Sequence, residues 1–358
     1  MTRIDDIIRT RIRQDVQSMH AYAVQDSRGL LKLDAMENPH RLPPALRQKL
    51  GERLADVALN RYPGERVNDL RAALKAYAQI PAGCDLMLGN GSDELISLLA
   101  MACDVPGASI LAPLPGFVMY AMSAQLQGLK FIGVDLTPDF ELDGPAMLKA
   151  IEQHQPSIVY LAYPNNPTAN LWDDAVIGQI VEAAPGLVVM DEAYQPFSSR
   201  SYIDRLAKHE HVLLMRTLSK FGLAGVRIGY MVGAQKLIAE VDKVRPPYNI
   251  SVLNAEAALF ALEHADVFAA QAQELREERG RLQRALAQMP GVKSWPSDAN
   301  MILVRVPDAV RAFDGMKARG VLVKNVSKMH PLLGNCLRLT VGTADENTQM
   351  LAALQASL

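Results

Sequence analysis

The stretch LVVMDEAYQPFSSRSYIDRLAKHEHVLLMRTLSK, residues 187–220, contains the pattern that decides the fold. There are two fully apolar runs, Leu187–Met190 and Val212–Met215; Asp191 follows the first run directly, and Lys220 lies a few residues after the second. Runs rich in Val, Ile and Leu without alternation are typical of parallel strands that are covered on both faces. Asp191 and Lys220 therefore mark the carboxyl ends of strands, where open α/β sheets bind their ligands.

Similar runs occur on both sides of this stretch, separated by helical patterns, at Ser109–Ala112, Lys130–Asp135, Ser157–Ala162 and Ile228–Val232. The sequence therefore predicts an α/β protein with a large domain, built on a mostly parallel central sheet covered by helices. A long helix is predicted at Asn254–Gln288. After Pro290 and Gly291, short strands follow at Asn300–Val306, Val321–Lys324 and Leu337–Val341.

This change from a long helix to short strands predicts a second, smaller α/β domain. We expect residues 46–289 to form the large domain and residues 290–358 to form the C-terminal part of the small domain. Residues 1–45 are expected to be an N-terminal arm and the remainder of the small domain. Within the arm, Ile4, Ile7, Ile8 and Ile12 share one face of a predicted helix at Thr2–Val16, which should dock on this or another subunit.

Composition narrows the class of protein. The chain has 358 residues, of which 49% are hydrophobic and 21% charged, as in ordinary globular proteins rather than disordered or collagenous ones. Its 37 Lys and Arg against 39 Asp and Glu give no overall field that would attract nucleic acid or an anionic membrane. Cys84, Cys103 and Cys336 are isolated, and neither a membrane span nor a signal peptide is recognisable, so we expect a cytoplasmic protein.

Four short segments beside predicted strand ends contain the candidate catalytic and binding residues. The first is GNGSDE at residues 89–94, where glycines precede a helix start and backbone amides can bind an anion. Its alternative interpretation is an ordinary N-cap with Ser92 or Asp93 as the capping residue. The second is YPNNPT at residues 163–168, a rigid turn that either holds an asparagine over a ligand or is a plain turn.

The third segment is VVMDEAY at residues 188–194. Asp191 ends a buried strand and needs a cation or hydrogen-bond donors, so a structural salt bridge is the alternative to a ligand contact. The fourth is TLSKFGLAGVRIG at residues 217–229, in which Lys220 is either a solvated side chain or a reactive amine. His209 and His211 flank Glu210 before a strand and are interpreted as solvated loop residues, so no metal site is predicted.

Taken together in this order, the four segments resemble the cofactor site of fold-type I pyridoxal-phosphate enzymes, the aspartate aminotransferase superfamily. The spacing from Asn166 to Asp191 and from Asp191 to Lys220 is similar to that of the superfamily. The resemblance covers nearly the whole chain and is strongest to the histidinol-phosphate branch. Segments that carry this finer resemblance include LDAMENP at 33–39, NRYP at 60–63 and LRLTVGT at 337–343.

The resemblance implies pyridoxal 5'-phosphate as the cofactor and a role for each matching residue. Lys220 would bond the cofactor aldehyde and then transfer protons, and Asp191 would pair with the ring nitrogen. Asn166 and Tyr194 would hydrogen-bond the ring oxygen, and Phe117 would stack on the ring. The phosphate would be held by Gly91, Ser92, Asp93, Thr217, Ser219, Arg227 and, from a second subunit of a homodimer, Tyr62. The substrate would be bound by Arg338, Lys324 and Tyr22.

Three positions depart from the pattern of the family. Lys220 and Arg227 are seven residues apart instead of the usual eight, so the position of Arg227 relative to the phosphate is open. Lys324 stands where an arginine is usual, which puts a second anion contact in doubt. Met36 precedes Glu37 where many members have asparagine.

The implied activity is amino transfer between L-histidinol phosphate and 2-oxoglutarate in histidine biosynthesis, with small molecules as the substrates. An aromatic amino acid transaminase is the main alternative, and a decarboxylase of amino-acid phosphates is the next, because all three would share the cofactor residues. A transcription regulator with this fold would need a DNA-binding domain. We do not expect one, because only about thirty residues precede Leu33.

Overall fold

The structure is a computed structural model that describes residues 2–19 and 25–358. Its helices are α1 (Arg3–Arg11), α2 (Gln14–Gln17), α3 (Pro44–Ala55), α4 (Arg66–Tyr77), α5 (Ser92–Ala102), α6 (Met119–Gln127), α7 (Gly144–His154), α8 (Asp174–Ala183), α9 (Gln235–Val241), α10 (Val252–Glu263), α11 (Ala265–Ala287), α12 (Ala309–Ala318) and α13 (Ala344–Gln355). Its strands are β1 (Leu31–Lys32), β2 (Cys84–Gly89), β3 (Ser109–Leu114), β4 (Lys130–Asp135), β5 (Ile158–Ala162), β6 (Leu187–Asp191), β7 (Val212–Thr217), β8 (Gly229–Ala234), β9 (Lys293–Ser294), β10 (Met301–Arg305), β11 (Val321–Leu322), β12 (Lys324–Asn325) and β13 (Cys336–Thr340).

A seven-stranded sheet with the order β2-β8-β7-β6-β5-β3-β4 forms the centre of the fold. All neighbouring pairs are parallel except those of β8, which runs antiparallel to both β2 and β7. The predicted α/β class with a mostly parallel sheet is therefore confirmed. Because β5, β6 and β7 are adjacent and parallel, their carboxyl ends, and the segments that follow them, meet at one edge of the sheet.

Apolar side chains cover both faces of this sheet. Along β6, Val188 and Met190 belong to one apolar cluster, whereas Val189 belongs to the cluster on the other face. This alternation follows from the two-residue period of a strand. It also explains why the strand has no polar position before Asp191.

A second, four-stranded antiparallel sheet has the order β12-β13-β10-β9 and its own apolar cluster. The first residues of the chain join this part of the molecule, since β1 pairs in parallel with β11, Leu31 opposite Val321. Leu33 and Met36 pack into the same cluster. The boundaries predicted at residues 45/46 and 289/290 stay predictions.

Several predicted elements differ in detail from the structure. The predicted helix at Thr2–Val16 is divided into α1 and α2 because Ile12 has an extended backbone with ψ 131°. The isoleucines of its apolar face are between 42% and 57% exposed. The predicted helix at Asn254–Gln288 is divided at His264, and Val321–Lys324 contributes to two different sheets. In the described parts of the chain, no helix is both long and apolar enough to cross a bilayer.

Candidate active site

Two neighbouring cavities lie at the carboxyl edge of the large sheet. The Lys220 cavity, of about 420 Å³, is lined by Lys220, Asp191 and the segments around them. The Arg338 cavity, of about 530 Å³, is lined by Arg338, Lys324 and residues of the N-terminal segment. The walls of both cavities include Ala35, Met36, Glu37, Phe117 and Asn166.

The Lys220 cavity brings together most of the predicted cofactor residues. Those on its wall are Ser92, Asp93, Phe117, Asn166, Asp191, Tyr194, Thr217, Ser219, Lys220 and Arg227. They come from the last residues of β6 and β7 and from the segments that follow β2, β3, β5, β6 and β7, which are far apart in sequence. The sheet topology therefore assembles the four predicted segments into one site.

Lys220 lies in a tight turn at Ser219–Leu223 directly after β7, where Gly222 has a φ of 137° that side-chain-bearing residues rarely adopt. Its Nζ donates a hydrogen bond to the carbonyl oxygen of Ala35 at 2.8 Å. Loss of hydration and, as the second cause, the positive charge of Arg338 lower the pKa of this amine to about 8. An amine with this pKa changes protonation close to neutral pH.

Asp191 is 4% exposed at the end of β6. Burial raises the pKa of its carboxyl group to about 6, although two donors oppose this shift. The hydroxyl of Tyr120 donates to Oδ2 at 2.7 Å, and the backbone N–H of Ala193 donates to Oδ1 at 3.1 Å. A buried carboxylate held by two donors on the wall of a cavity is suited to face a cationic group.

The structural salt bridge considered for Asp191 belongs instead to the next residue, Glu192. Arg216 donates to Glu192 Oε2 from Nε at 3.0 Å and from Nη2 at 2.8 Å, and both side chains are almost fully buried. The hydroxyl of Ser201 also donates to this carboxylate. The pair joins the ends of β6 and β7 and so fixes the strands that carry Asp191 and Thr217.

The segment at residues 89–94 forms the turn at the start of α5 that was predicted to bind an anion, and it is called the anion cradle below. Ser92 and Asp93 do not cap the helix through their side chains as the alternative interpretation required, because Gly91, with a φ of 84°, is the N-cap residue. A Cβ at Gly91 would lie 2.5 Å from Nη2 of Arg227, so the guanidinium packs directly against this turn. The helix start thus offers backbone amides and a cation at the same place.

Arg227 reaches the cavity despite the shortened spacing from Lys220. It adopts a left-handed backbone, with a φ of 55°, and its guanidinium lies 3.4 Å from Ser219 Oγ and 3.3 Å from Asp93 Oδ2. Ser219 is also within 3.0 Å of the hydroxyl of Thr217. The hydroxyls of Thr217 and Ser219 therefore line the same anion cradle as Arg227.

Asn166 connects the large sheet to the small one. Its Nδ2 donates to the hydroxyl of Tyr194 at 3.0 Å, and its Oδ1 accepts from Nη1 of Arg338 at 2.8 Å. Nη2 of Arg338 donates to the carbonyl oxygen of Asp34 at 2.6 Å. The neighbouring Asn165 is structural, because it donates to Pro115 and to Thr168.

An aromatic group covers one side of the cavity. Phe117 lines both cavities and packs edge-on against Tyr120, with 5.6 Å between ring centroids. Tyr120 in turn stacks on Tyr160 at 4.2 Å. The pair holds the hydroxyl of Tyr120 against Asp191.

The remaining predicted residues, Lys324, Tyr62 and Tyr22, are not on the wall of the Lys220 cavity as the structure describes it. Lys324 lines the Arg338 cavity and pairs with Arg338 in the β12–β13 ladder. Tyr62 is 75% exposed, stacks on Tyr248 and lines a separate surface cavity. Tyr22 lies outside the described residues.

The two histidines flagged in the sequence make local contacts. His209 lies 3.6 Å from Glu182, and His211 Nε2 lies 3.0 Å from the carbonyl oxygen of Val181. Across residues 2–19 and 25–358, no group of three or more His, Cys, Asp and Glu residues is arranged to hold a metal ion.

Sequence reasoning missed three contributors to the site. The hydroxyl of Tyr120 and the carbonyl oxygens of Ala35 and Asp34 contact Asp191, Lys220 and Arg338, respectively. A buried tyrosine near a strand end could have suggested the first contact. Backbone carbonyls carry no signal in the sequence, so the other two required the structure.

Comparisons with known proteins find relatives that match nearly the whole chain. The family model of class I and II aminotransferases matches residues 28–354. The chain is 73% identical over 358 residues to a histidinol-phosphate aminotransferase of Polaromonas naphthalenivorans, covering 99% of this chain and 98% of that protein. It is 71% identical over 350 residues to the protein of the same name from Methylibium petroleiphilum, covering 97% and 94%.

The fold is also similar to that of solved structures. The histidinol-phosphate aminotransferase from Sinorhizobium meliloti, in complex with pyridoxal 5'-phosphate, superimposes with a TM-score of 0.84 at 24% sequence identity. The similarity covers 97% of each chain. At this level of identity the comparison supports the fold.

Proposed function

We propose a specific transamination for this chain, which belongs to the class I and II aminotransferase family. The reaction is amino transfer between L-histidinol phosphate and 2-oxoglutarate, which gives imidazole-acetol phosphate and glutamate in histidine biosynthesis. The observation that carries this proposal is the identity of 73% and 71%, over nearly full length, to two histidinol-phosphate aminotransferases. The adjoining cavities, one around an amine and one around an arginine, support it independently.

The residues of the Lys220 cavity fit pyridoxal 5'-phosphate as the cofactor. The cradle at Gly91, where a Cβ would collide with Arg227, leaves the helix start open to a phosphate. The buried carboxylate of Asp191 suits a protonated ring nitrogen, and Asn166 and Tyr194 would hydrogen-bond the ring oxygen. Phe117 would cover the ring face. When bound, the cofactor supplies an electron-withdrawing ring that stabilises the negative charge left after the substrate carbon loses its proton.

Lys220 would hold the cofactor and move the proton. Its Nζ, with a pKa lowered to about 8, takes a proton from the substrate carbon and can return it, because an acid or base works best with a pKa near the working pH. The Ala35 carbonyl that accepts from Nζ aims the amine into the cavity. Asp191, with a pKa of about 6, is ionised at neutral pH and keeps its cationic partner protonated.

Substrate anions would bind in the Arg338 cavity. The planar guanidinium of Arg338 can grip a phosphate or a carboxylate through paired hydrogen bonds, so it serves both histidinol phosphate and glutamate. Its contacts with Asn166 and with the Asp34 carbonyl set its orientation. Lys324, next to it in the ladder, would add a point charge for the phosphate substrate.

We further propose a cytoplasmic homodimer with shared active sites. Tyr62 is exposed in the single chain and outside both cavities described above, which is compatible with a contact to the phosphate site of a partner subunit. The three cysteines are thiols in the structure, as suits a reducing compartment.

The proposed activity is tested by single-turnover absorbance measurements on the cofactor-loaded protein. Histidinol phosphate, glutamate and phenylalanine are each mixed with the protein, and conversion of the cofactor to its amine form is followed in the visible range. We expect efficient conversion by histidinol phosphate and glutamate. Faster conversion by phenylalanine than by histidinol phosphate would favour the aromatic transaminase, and release of carbon dioxide from an amino-acid phosphate would favour the decarboxylase.

A further inference from the structure

We propose that Glu37 recognises the imidazole ring of the amino donor by accepting a hydrogen bond from a ring N–H group. The inference rests on the proposed function, because it assigns a residue to the imidazole ring, the third functional group of the same substrate. The other two groups, the amine and the phosphate, are proposed to bind near Lys220 and Arg338.

Glu37 lies where the two cavities meet. Of the carboxylates on the described cavity walls, Asp93 and Asp191 line the Lys220 cavity and Asp34 lines the Arg338 cavity, whereas Glu37 lines both. Its negative charge also acts on Lys220, whose protonated form it favours. Glu37 is therefore close to the amine and on the path toward Arg338.

The carboxylate of Glu37 is anchored but not enclosed. Nζ of Lys32 donates to Oε2 of Glu37 and lies 3.4 Å from Asp34. This contact fixes the direction of the carboxylate, while 45% of the Glu37 side chain remains exposed. An ionised acceptor is thus held in place with room for a second donor.

The chemistry of the donor constrains where its ring can lie. One carbon of histidinol phosphate carries the amine, the phosphate-bearing carbon and the carbon that leads to the imidazole. With the amine at Lys220 and the phosphate at Arg338 and Lys324, this carbon lies between the two cavities. The ring, joined to this carbon by one methylene group, then lies at the shared wall, where Met36 and Phe117 offer apolar surface beside Glu37.

A carboxylate at this place distinguishes imidazole from a phenyl ring of similar shape. The imidazole N–H donates to the ionised acceptor, whereas phenyl offers no donor and would displace water from Glu37 without replacing its hydrogen bond. A hydrogen bond to a charged group corresponds to a preference of about ten- to hundredfold.

The test compares histidinol phosphate with phenylalaninol phosphate, which has the same amine and phosphate but a phenyl ring. The ratio of kcat/KM for the two donors is measured in the cofactor-loaded wild type, in Glu37→Met and in Glu37→Gln. Effects of a variant on Lys220, on cofactor or on folding act on both donors and cancel in the ratio. We expect Glu37→Met to reduce the preference for imidazole by about tenfold or more. Glu37→Gln, which keeps an acceptor oxygen, should retain part of it.

Lys324→Met is the matched control, because it should weaken both phosphate donors equally and leave their ratio at the wild-type value. A second readout is the ratio of dissociation constants for the two donors, measured in the Lys220→Ala background where turnover is absent; Glu37→Met should reduce this ratio as well. If the wild type turns over histidinol phosphate but both Glu37 variants keep its preference, the role of Glu37 is wrong and the proposed function stands. If the wild type does not turn over histidinol phosphate, both are wrong.

Discussion

Lys220 and Asp191 have pKa values shifted in opposite directions for one reason. Burial penalises the charged form of each group, so the pKa of the amine falls to about 8 and that of the carboxyl rises to about 6. Between these two values, Asp191 is ionised while Lys220 is still mostly protonated. A rise in pH through about 8 therefore produces the neutral amine that can bond a cofactor aldehyde.

The rate at which the cofactor-depleted protein binds pyridoxal phosphate covalently should therefore rise with pH and level off above about 8. Arg338→Met should move the midpoint of this rise to higher pH, because the removed cation repels the protonated form of Lys220 and so lowers its pKa. The appearance of the cofactor's visible absorbance in stopped flow measures the rate at each pH.

The control for this prediction is Lys243→Met, which removes a cation that is 67% exposed and paired with Glu240. Its midpoint should equal that of the wild type. A downward movement of the midpoint in Arg338→Met would contradict the assigned electrostatics.

For single residues, the sequence predicted the position of a functional side chain where that side chain follows the end of a predicted strand. Asp191, Asn166 and Lys220 each follow a predicted apolar run, and the structure places all three on the wall of one cavity. The orientation of these side chains could not be predicted. It depends on contacts such as the Ala35 carbonyl with Lys220, which joins positions 185 residues apart.

Among the elements, the close packing of β8 against the start of α5 is decisive for the anion cradle. A Cβ at Gly229 would lie 2.7 Å from the backbone C of Gly91 and 2.7 Å from the backbone N of Ser92. Backbone atoms cannot move aside as a flexible side chain can. The strand therefore requires glycine at this position to bring the helix start into place.

Gly229→Ala should displace the helix start, destabilise the protein by about 1–3 kcal/mol and weaken cofactor binding. Urea denaturation of the cofactor-depleted protein measures the first effect, and fluorescence titration with pyridoxal phosphate measures the second. Gly178→Ala is the control. Gly178 lies in α8, and a Cβ added there would have no atom of a neighbouring segment within 4 Å. Cofactor affinity equal to the wild type in Gly229→Ala would contradict this packing argument.

The sequence predicted the strands of the large sheet with the exception of β2. β4 was predicted with its observed bounds, and β5, β6 and β7 within two residues. β2 was not predicted, because Asp85 and Gly89 interrupt its apolar run. The antiparallel direction of β8 also could not be predicted, because it depends on how the turn after Lys220 reverses the chain.

On the scale of the whole molecule, the candidate site depends on parts that are distant in sequence. The hydrogen bond from Arg338 to Asn166 joins the small sheet to a loop of the large sheet, and β1 joins the N-terminal segment to β11. The residues proposed to bind substrate and those proposed to bind cofactor are thus held by different sheets. Tyr62, in its separate surface cavity, would extend this arrangement to a second subunit.

If Tyr62 serves the partner's site, Tyr62→Phe should weaken cofactor binding by about 1.5–3 kcal/mol, the scale of a hydrogen bond to a charged group. Mixed dimers of Tyr62→Phe with Lys220→Ala distinguish the two arrangements. A shared site predicts that the mixed dimer contains one fully wild-type site, with wild-type cofactor affinity. A Tyr62 that acts only in its own chain would leave every site defective, which titration of the purified mixed dimer would reveal.

The assignment of Lys220 as the cofactor-linked residue is tested most directly by chemical reduction. The purified protein with pyridoxal phosphate is treated with borohydride, digested and mapped by mass spectrometry, with Lys220→Ala treated in parallel. We expect the cofactor on the peptide that contains Lys220 and no stoichiometric label in Lys220→Ala. A stoichiometric label on another lysine, or an unchanged label in Lys220→Ala, would contradict the site described above.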